Sequence, residues 1–122
     1  MPASATAAVT FTPDTKSELN ALRKAASRAS ELLKSLANDH RLLILCMLSE
    51  QEMSVKEIGE HVELSQSPLS QHLAKLRAEG LVKARKEAQH VYYSLDSEEA
   101  RSVIETLYNL YCSPACKPRR KN

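Results

Sequence analysis

Hydrophobic positions recur at steps of three and four along most of this chain and give way to alternation in one short region. From Lys16, the residues Leu19, Leu22, Ala26, Ala29, Leu33 and Leu36 follow one another at the spacing of a seam between helices. Asn38 is placed to cap a second helix through Arg41 to Leu48, a run apolar on nearly all sides and therefore central. Ser54-Val55-Lys56-Glu57 has capping-box spacing and opens a short third helix to about Val62, with Glu63 and Leu64 in the turn beyond. Ser65 stands where it can cap a fourth helix, and Pro68 falls in that helix's first turn. Leu69, Leu73 and Leu76 give the fourth helix a buried stripe, and Gly80 is placed to end it in the left-handed conformation. Alternation then appears in Val82–Lys86 and Val91–Leu95, two strand-like runs joined by a polar link, Glu87-Ala88-Gln89-His90, of hairpin length. Ser97 caps a last helix whose Ala100, Val103, Leu107 and Leu110 step by three and four, with Ile104 and Tyr111 widening the stripe.

The polar remainder of the fourth helix carries the chemistry. Gln66, Ser67, Ser70, Gln71, His72, Lys75 and Arg77 occupy its non-stripe positions. Amides and hydroxyls near a helix start read base edges, and cations further along hold phosphates. A basic hairpin directly after such a helix makes a wing. The implied fold is mainly α with a small β-hairpin, a winged helix-turn-helix, in which Arg85, Lys86, Gln89 and His90 on the wing meet double-stranded DNA beside the helix. A solvated amphipathic helix and hairpin is the plainer alternative, but it leaves helix, cap, wing and charge as four coincidences. The first and last helices offer more apolar surface than a small core needs, which implies a homodimer through those two helices, with half-sites ~34 Å apart.

Charge supports this by its distribution rather than its sum. The net charge is only +2, yet residues 42–64 carry one Lys and five Glu, whereas residues 65–93 carry five Lys/Arg against two Glu. One positive face suits a small module that binds nucleic acid. The 122 residues and 43% apolar content fit one domain of modest core, and two glycines among many Leu, Ala, Lys and Glu favour helix. Residues 1–14 read as a flexible arm without the basic start and apolar core of an export signal, residues 15–112 as the DNA-binding and dimerisation domain, and residues 113–122 as a basic tail. No run approaches a membrane span, so no membrane partner is expected. Three cysteines without an export signal point to a reducing cytoplasm and to reactive or metal-binding thiols. No base–orienter pair or Gly-rich loop accompanies them, so an enzyme is not expected, and no cofactor motif is present.

Taken in order, Leu32–Leu45, Ser65–Leu81 and Arg85–Tyr93 resemble the ArsR/SmtB-type bacterial repressors, small dimeric winged-helix proteins that leave operator DNA on meeting an inducer. The resemblance covers the chain apart from its two ends. It implies that sensory chemistry must be sought residue by residue, since branches of that family differ. One metal site of the family uses two cysteines at the positions held here by Ser54 and Lys56, and so is absent. Another uses histidines and carboxylates of the last helix. Here that helix has Glu98, Glu99 and Glu105 without a histidine, a poor home for zinc.

Cys46, Cys112 and Cys116 remain. Sequence separation alone leaves open whether any of them meet. The contexts Leu-Cys-Met-Leu around Cys46 and Leu-Tyr-Cys at Cys112 resemble those of the BigR, SqrR and HlyU-like branch. That resemblance implies a redox-sensing pair, Cys46 and Cys112, bridged by a disulfide or polysulfide on meeting oxidants or reactive sulfur such as persulfides. Cys116 departs from the two-cysteine pattern, as an accessory tail thiol, a resolving thiol or a third ligand. The alternative is a repressor responsive to arsenite or a soft metal through Cys46, Cys112 and Cys116. A buried, inert Cys46 among Leu45, Met47 and Leu48 is the plain reading, and the nearby Glu50 opposes a thiolate. His40 and His61 read as capping or surface residues, and Tyr92 and Tyr93 as packing.

Overall fold

The computed structural model describes residues 15–112. Within them the order is α1 Lys16–Leu36, α2 Asp39–Leu48, β1 Met53–Ser54, α3 Val55–Val62, α4 Gln66–Ala78, β2 Val82–Glu87, β3 His90–Leu95 and α5 Glu98–Tyr111. The chain divides between Leu32 and Leu33 into two units. The described part of the first is the bulk of α1, and the second holds the end of α1 and every other element. The arm and tail expected at residues 1–14 and 113–122 lie outside the described residues.

Helices begin where short polar side chains can accept the orphan N–H groups of a first turn. The Asn38 side-chain oxygen accepts from the amides of His40 and Arg41, each at 3.0 Å. Ser54 and Glu57 close a reciprocal box, Glu57 N–H donating to Ser54 Oγ at 3.1 Å and Ser54 N–H to Glu57 Oε1 at 2.9 Å. Ser97 Oγ accepts from Ala100 N–H at 3.1 Å. Ser65 differs from expectation. It occupies the N-cap of α4 with extended backbone, yet its side chain makes no capping bond. Pro68 explains this, because it stands at the third helical position and lacks the N–H that a capping hydroxyl most often accepts.

The helix ends are equally local. Gly80 has φ +77. Its N–H bonds Arg77 O at 3.0 Å while Leu81 N–H reaches back to Leu76 O at 3.0 Å, so the orphan carbonyls of α4 are satisfied in a Schellman turn. At the end of α3 the same left-handed conformation falls on Glu63 (φ 57, ψ 46), a side-chain-bearing residue. That turn sets α4 against α3. The two approach closely enough that a Cβ on Gly59 would stand 3.2 Å from Leu69 Cδ2.

The hairpin is tighter than the polar link implied. Glu87 pairs with His90, so each strand is one residue longer and the turn is only Ala88-Gln89, with Ala88 at φ 58. β1 went unforeseen. Met53 pairs with Tyr93 and Ser54 with Tyr92, giving a three-stranded antiparallel sheet in the order β1-β3-β2. Two residues of strand carry no readable alternation.

The core of the second unit gathers Ile44 and Leu45 of α2, Ile58 of α3, Leu76 of α4 and Ile104 of α5, all fully buried, with Leu69, Leu73 and Tyr93 around them. Burying each such aliphatic side chain stabilises the fold by ~1.5–3 kcal/mol. Other apolar side chains stay outside: Leu33 is 56% exposed, Leu43 44%, Leu110 69% and Tyr111 82%. α5 therefore turns Ala100 and Ile104 inward over its first half and shows apolar residues to solvent at its end. Among the described residues no helix is long and apolar enough to cross a membrane.

Candidate nucleic-acid interface and its thiols

α4 is the second helix of the helix-turn-helix, and its buried stripe of Leu69, Leu73 and Leu76 decides what the other side presents. Ser67 and Gln71 point away from the core, with Gln66 and Ser70 on one shoulder and Lys75 on the other, and all five are exposed. Gln66 and Ser70 line a groove of about 700 Å³ together with Gln89, His90 and Tyr93 of the hairpin. The recognition shoulder and the wing tip thus share one concave face. Lys86 is exposed on β2 beside it.

His72 is placed elsewhere. Instead of joining the groove face, it is half-buried on the opposite shoulder, its ring 5.7 Å from that of His40 at the start of α2. Burial pushes its pKa down, with the nearby Arg41 and His40 charges adding to the shift. Glu79, two turns on along the same shoulder, accepts from the buried Ser35 hydroxyl and from Lys75 Nζ at 3.1 Å. The Ser35 hydrogen bond, then Lys75, hold the Glu79 carboxyl below its usual range against the opposing effect of burial. Arg41 completes this latch. Its Nε donates to Ser35 O at 2.9 Å and its Nη2 to Lys34 O at 3.2 Å, covering the last carbonyls of α1. Sequence reasoning missed the latch, since Ser35 and Glu79 stand far apart in the chain and neither belongs to a motif.

Arg85 also has company the sequence did not show. Its Nε donates to Glu52 Oε2 at 3.0 Å, Nη2 to Glu52 Oε1 at 2.8 Å and Nη1 to Glu87 Oε1 at 2.5 Å. The guanidinium lies over the Tyr92 ring, 4.8 Å from its centroid. These carboxylates raise the Arg85 pKa further, and Arg85 in turn lowers that of Glu52.

Of the cysteines, Cys46 is a free, half-buried thiol in α2, and burial pushes its pKa up. Cys112 caps the end of α5 and is disulfide-bonded, but not to Cys46. The bridge implied by the resemblance is therefore not formed in this structure. The helices carrying the two cysteines do pack together. One tie between them is Arg101 Nη1 donating to Ser49 O at 3.2 Å, at the start of α5 and just beyond the end of α2, and Cys112 closes the other end of this 14-residue helix, which is ~20 Å long. Cys116, needed for the three-thiolate alternative, lies outside the described residues. Among the described residues no group of three or more His, Cys, Asp or Glu is gathered to hold a metal ion.

A helix-turn-helix whose second helix bares amides and hydroxyls next to a two-stranded hairpin defines a winged helix-turn-helix DNA-binding protein. The chain belongs to the ArsR family: residues 38–84 match the family described as "Bacterial regulatory protein, arsR family". It is 54% identical over 94 residues to the transcriptional activator HlyU of Vibrio cholerae, covering 77% of this chain and 87% of that protein. It is 40% identical over 96 residues to the biofilm growth-associated repressor of Agrobacterium fabrum, covering 79% and 82%. The solved structure of reduced HlyU from Vibrio cholerae superposes with a TM-score of 0.74 at 54% identity, over 75% of this chain and 97% of that one. The chain is a DNA-binding transcriptional regulator of this family and not an enzyme.

Proposed function

We propose that this regulator is a cytoplasmic homodimeric repressor that grips operator DNA through α4 and the wing and lets go when Cys46 and Cys112 are oxidised or persulfidated. The observation that carries the DNA half is the shared face on which Gln66 and Ser70 meet Gln89 and His90 across one groove, with Ser67 and Gln71 at its crest. Gln66, Ser67, Ser70 and Gln71 read bases; Lys75, Arg85, Lys86, Gln89 and His90 meet the backbone. His72, on the Lys75 shoulder beside His40 and outside the groove lining, meets DNA only at the edge of this face.

Exposed Leu33, Leu43, Leu110 and Tyr111 support dimerisation, as does the Leu19 end of the α1 stripe, 37% exposed in the single chain. Residues 15–112 make up the dimerising, DNA-binding domain. For the sensory half, support comes from the packing of α2 against α5 and from the close relation to HlyU, one of whose structures is described as reduced. The step begins in the reduced protein, where a thiol reductant has opened the disulfide that holds Cys112 in this structure. From the two thiols, formation of a Cys46–Cys112 disulfide releases two electrons and two protons to a peroxide or disulfide oxidant. A sulfane-sulfur donor instead transfers one sulfur to one cysteine as a persulfide, and a second sulfane sulfur takes up the two electrons and two protons and leaves as hydrogen sulfide as the other cysteine bonds, so that a trisulfide spans a wider gap. Either bridge joins α5's free end to α2 and shifts the dimer frame that spaces the two α4 helices.

The test starts from a duplex selected by the reduced protein out of a randomised pool. Gln71→Ala should lower its preference over random duplex by ~1–3 kcal/mol, the worth of a bidentate base contact. Persulfide or peroxide treatment should weaken the wild type, while Cys46→Ser and Cys112→Ser keep DNA binding and lose the response. A Cys116→Ser protein that alone goes blind to the inducer, or bound metal in the purified protein, would transfer the sensory role to the three-thiolate alternative.

A further inference from the structure

The wing arginine is held by two carboxylates, and its geometry has a consequence for how the protein tells one DNA from another. Arg85 has donor directions matched to planar anions, and Glu52 takes its Nε and Nη2 in the side-on bidentate mode that a phosphate also uses. Glu87 takes Nη1, and Tyr92 covers one face of the guanidinium. The two carboxylates take the donors of Arg85 that a phosphate would use, while Lys83, close enough to act on Glu52, and Lys86 keep the same strand cationic, so what the acids withhold is Arg85 itself. All three side chains are on the surface, with Arg85 50%, Glu52 36% and Glu87 66% exposed, so exchange for phosphate needs no unfolding. Register shows why the cluster forms: Arg85 pairs directly with Tyr92, while Ser54, the neighbour of Tyr92 on β1, lies two residues beyond Glu52.

We propose that Glu52 and Glu87 are specificity-determining residues: they occupy Arg85 in the free protein and surrender it to phosphate only when α4 is seated in its operator. Random duplex, which holds the protein by backbone charge alone, does not supply the base contacts needed to seat α4 and displace both carboxylates. The two acids therefore depress non-specific binding more than specific binding and widen the ratio between them. This rests on the DNA-binding reading above.

The experiment measures affinity for the pool-selected duplex and for random duplex, each across a salt series, with Glu52→Gln, Glu87→Gln and the double variant. The double variant should bind random duplex severalfold tighter, with a salt slope steeper by ~0.9 for the phosphate gained. Its affinity for the selected duplex should change less, so the specificity ratio falls. The same two changes made together with Arg85→Ala should have little further effect, since nothing remains to be released. An equal rise in the Arg85→Ala background would show that the acids act by general repulsion and overturn the proposal, as would no rise at all. Failure of the wild type to bind any duplex in a salt-dependent way would instead remove the DNA-binding reading, and it would be seen before any substitution is made.

Discussion

Ser35→Ala isolates the latch between the end of α1 and the recognition helix. Ser35 is 2% exposed and its hydroxyl donates to Glu79, whose side chain is 33% exposed. A hydrogen bond to a charged group contributes ~1.5–3 kcal/mol when well shielded. Partial exposure of Glu79, and the Lys75 contact that survives the change, reduce this to ~1 kcal/mol. Alanine's better helix preference returns a few tenths. The net loss should lower the midpoint of thermal unfolding by ~3 °C for a domain of this size. Its pH dependence identifies the partner. The bond holds the Glu79 carboxyl below the ordinary value of ~4.3, so its contribution is present in full well above that pH and is lost as pH falls through the depressed folded value. Urea unfolding of wild type and Ser35→Ala, at one fixed protomer concentration, should show a constant gap between pH 7 and 5.5 that closes under more acid conditions. A Glu79→Ala background should abolish the gap at every pH. A Ser35→Ala cost that is the same at pH 3.5 as at pH 7, or unchanged without Glu79, refutes the assignment of Ser35 to this bond.

Two further outcomes follow from the geometry. Glu63→Gly should stabilise the fold by ~0.5 kcal/mol, because relief of the left-handed conformation, ~1–2 kcal/mol, exceeds glycine's extra unfolded-state entropy, ~0.5–1 kcal/mol. Glu63→Ala serves as the neutral comparison in the same melts, and a destabilising glycine rules out strain there. Iodoacetamide labelling of Cys46, followed peptide by peptide in the mass spectrometer, should show its pH inflection above that of the same thiol in urea. The cause is desolvation of the half-buried group, so the folded state retains its proton to higher pH and stability falls as pH rises past the unfolded thiol's ~8.5. An inflection at or below the urea value means that Cys46 is more activated than its surroundings explain.

What the sequence made legible was local. Asn38, the Ser54–Glu57 box, Ser97 and Gly80 act within three or four residues of themselves, and each stands where short-range rules put it. Ser65 failed for an equally local reason, since Pro68 removes the donor. The sequence implies a longer turn than the hairpin has because Ala88-Gln89 lacks the Gly or Asn that marks a two-residue connection, and Ala88 accepts a positive φ regardless. The rest depends on partners distant in the chain. His72 reads as a groove residue until α2 brings His40 beside it, and Arg85 reads as a free cation until strand pairing delivers Glu52. The polar crest of α4 was legible because a three-leucine stripe fixes its opposite side.

Ser54 belongs to two pieces of machinery at once: it pairs with Tyr92 in the sheet and accepts the Glu57 amide that starts α3. With Met53 against Tyr93 and Glu52 on Arg85, the hairpin is seated on the same few residues that launch the helix-turn-helix. Wing and reading head are therefore not interchangeable parts. A chimera that imports the hairpin of a relative without its own residues 52–57 should inherit a mismatched seat, whereas one that moves both segments together should carry its grip intact. The unit that evolution or an engineer can shuffle is discontinuous in the chain, and its boundary runs through a strand only two residues long.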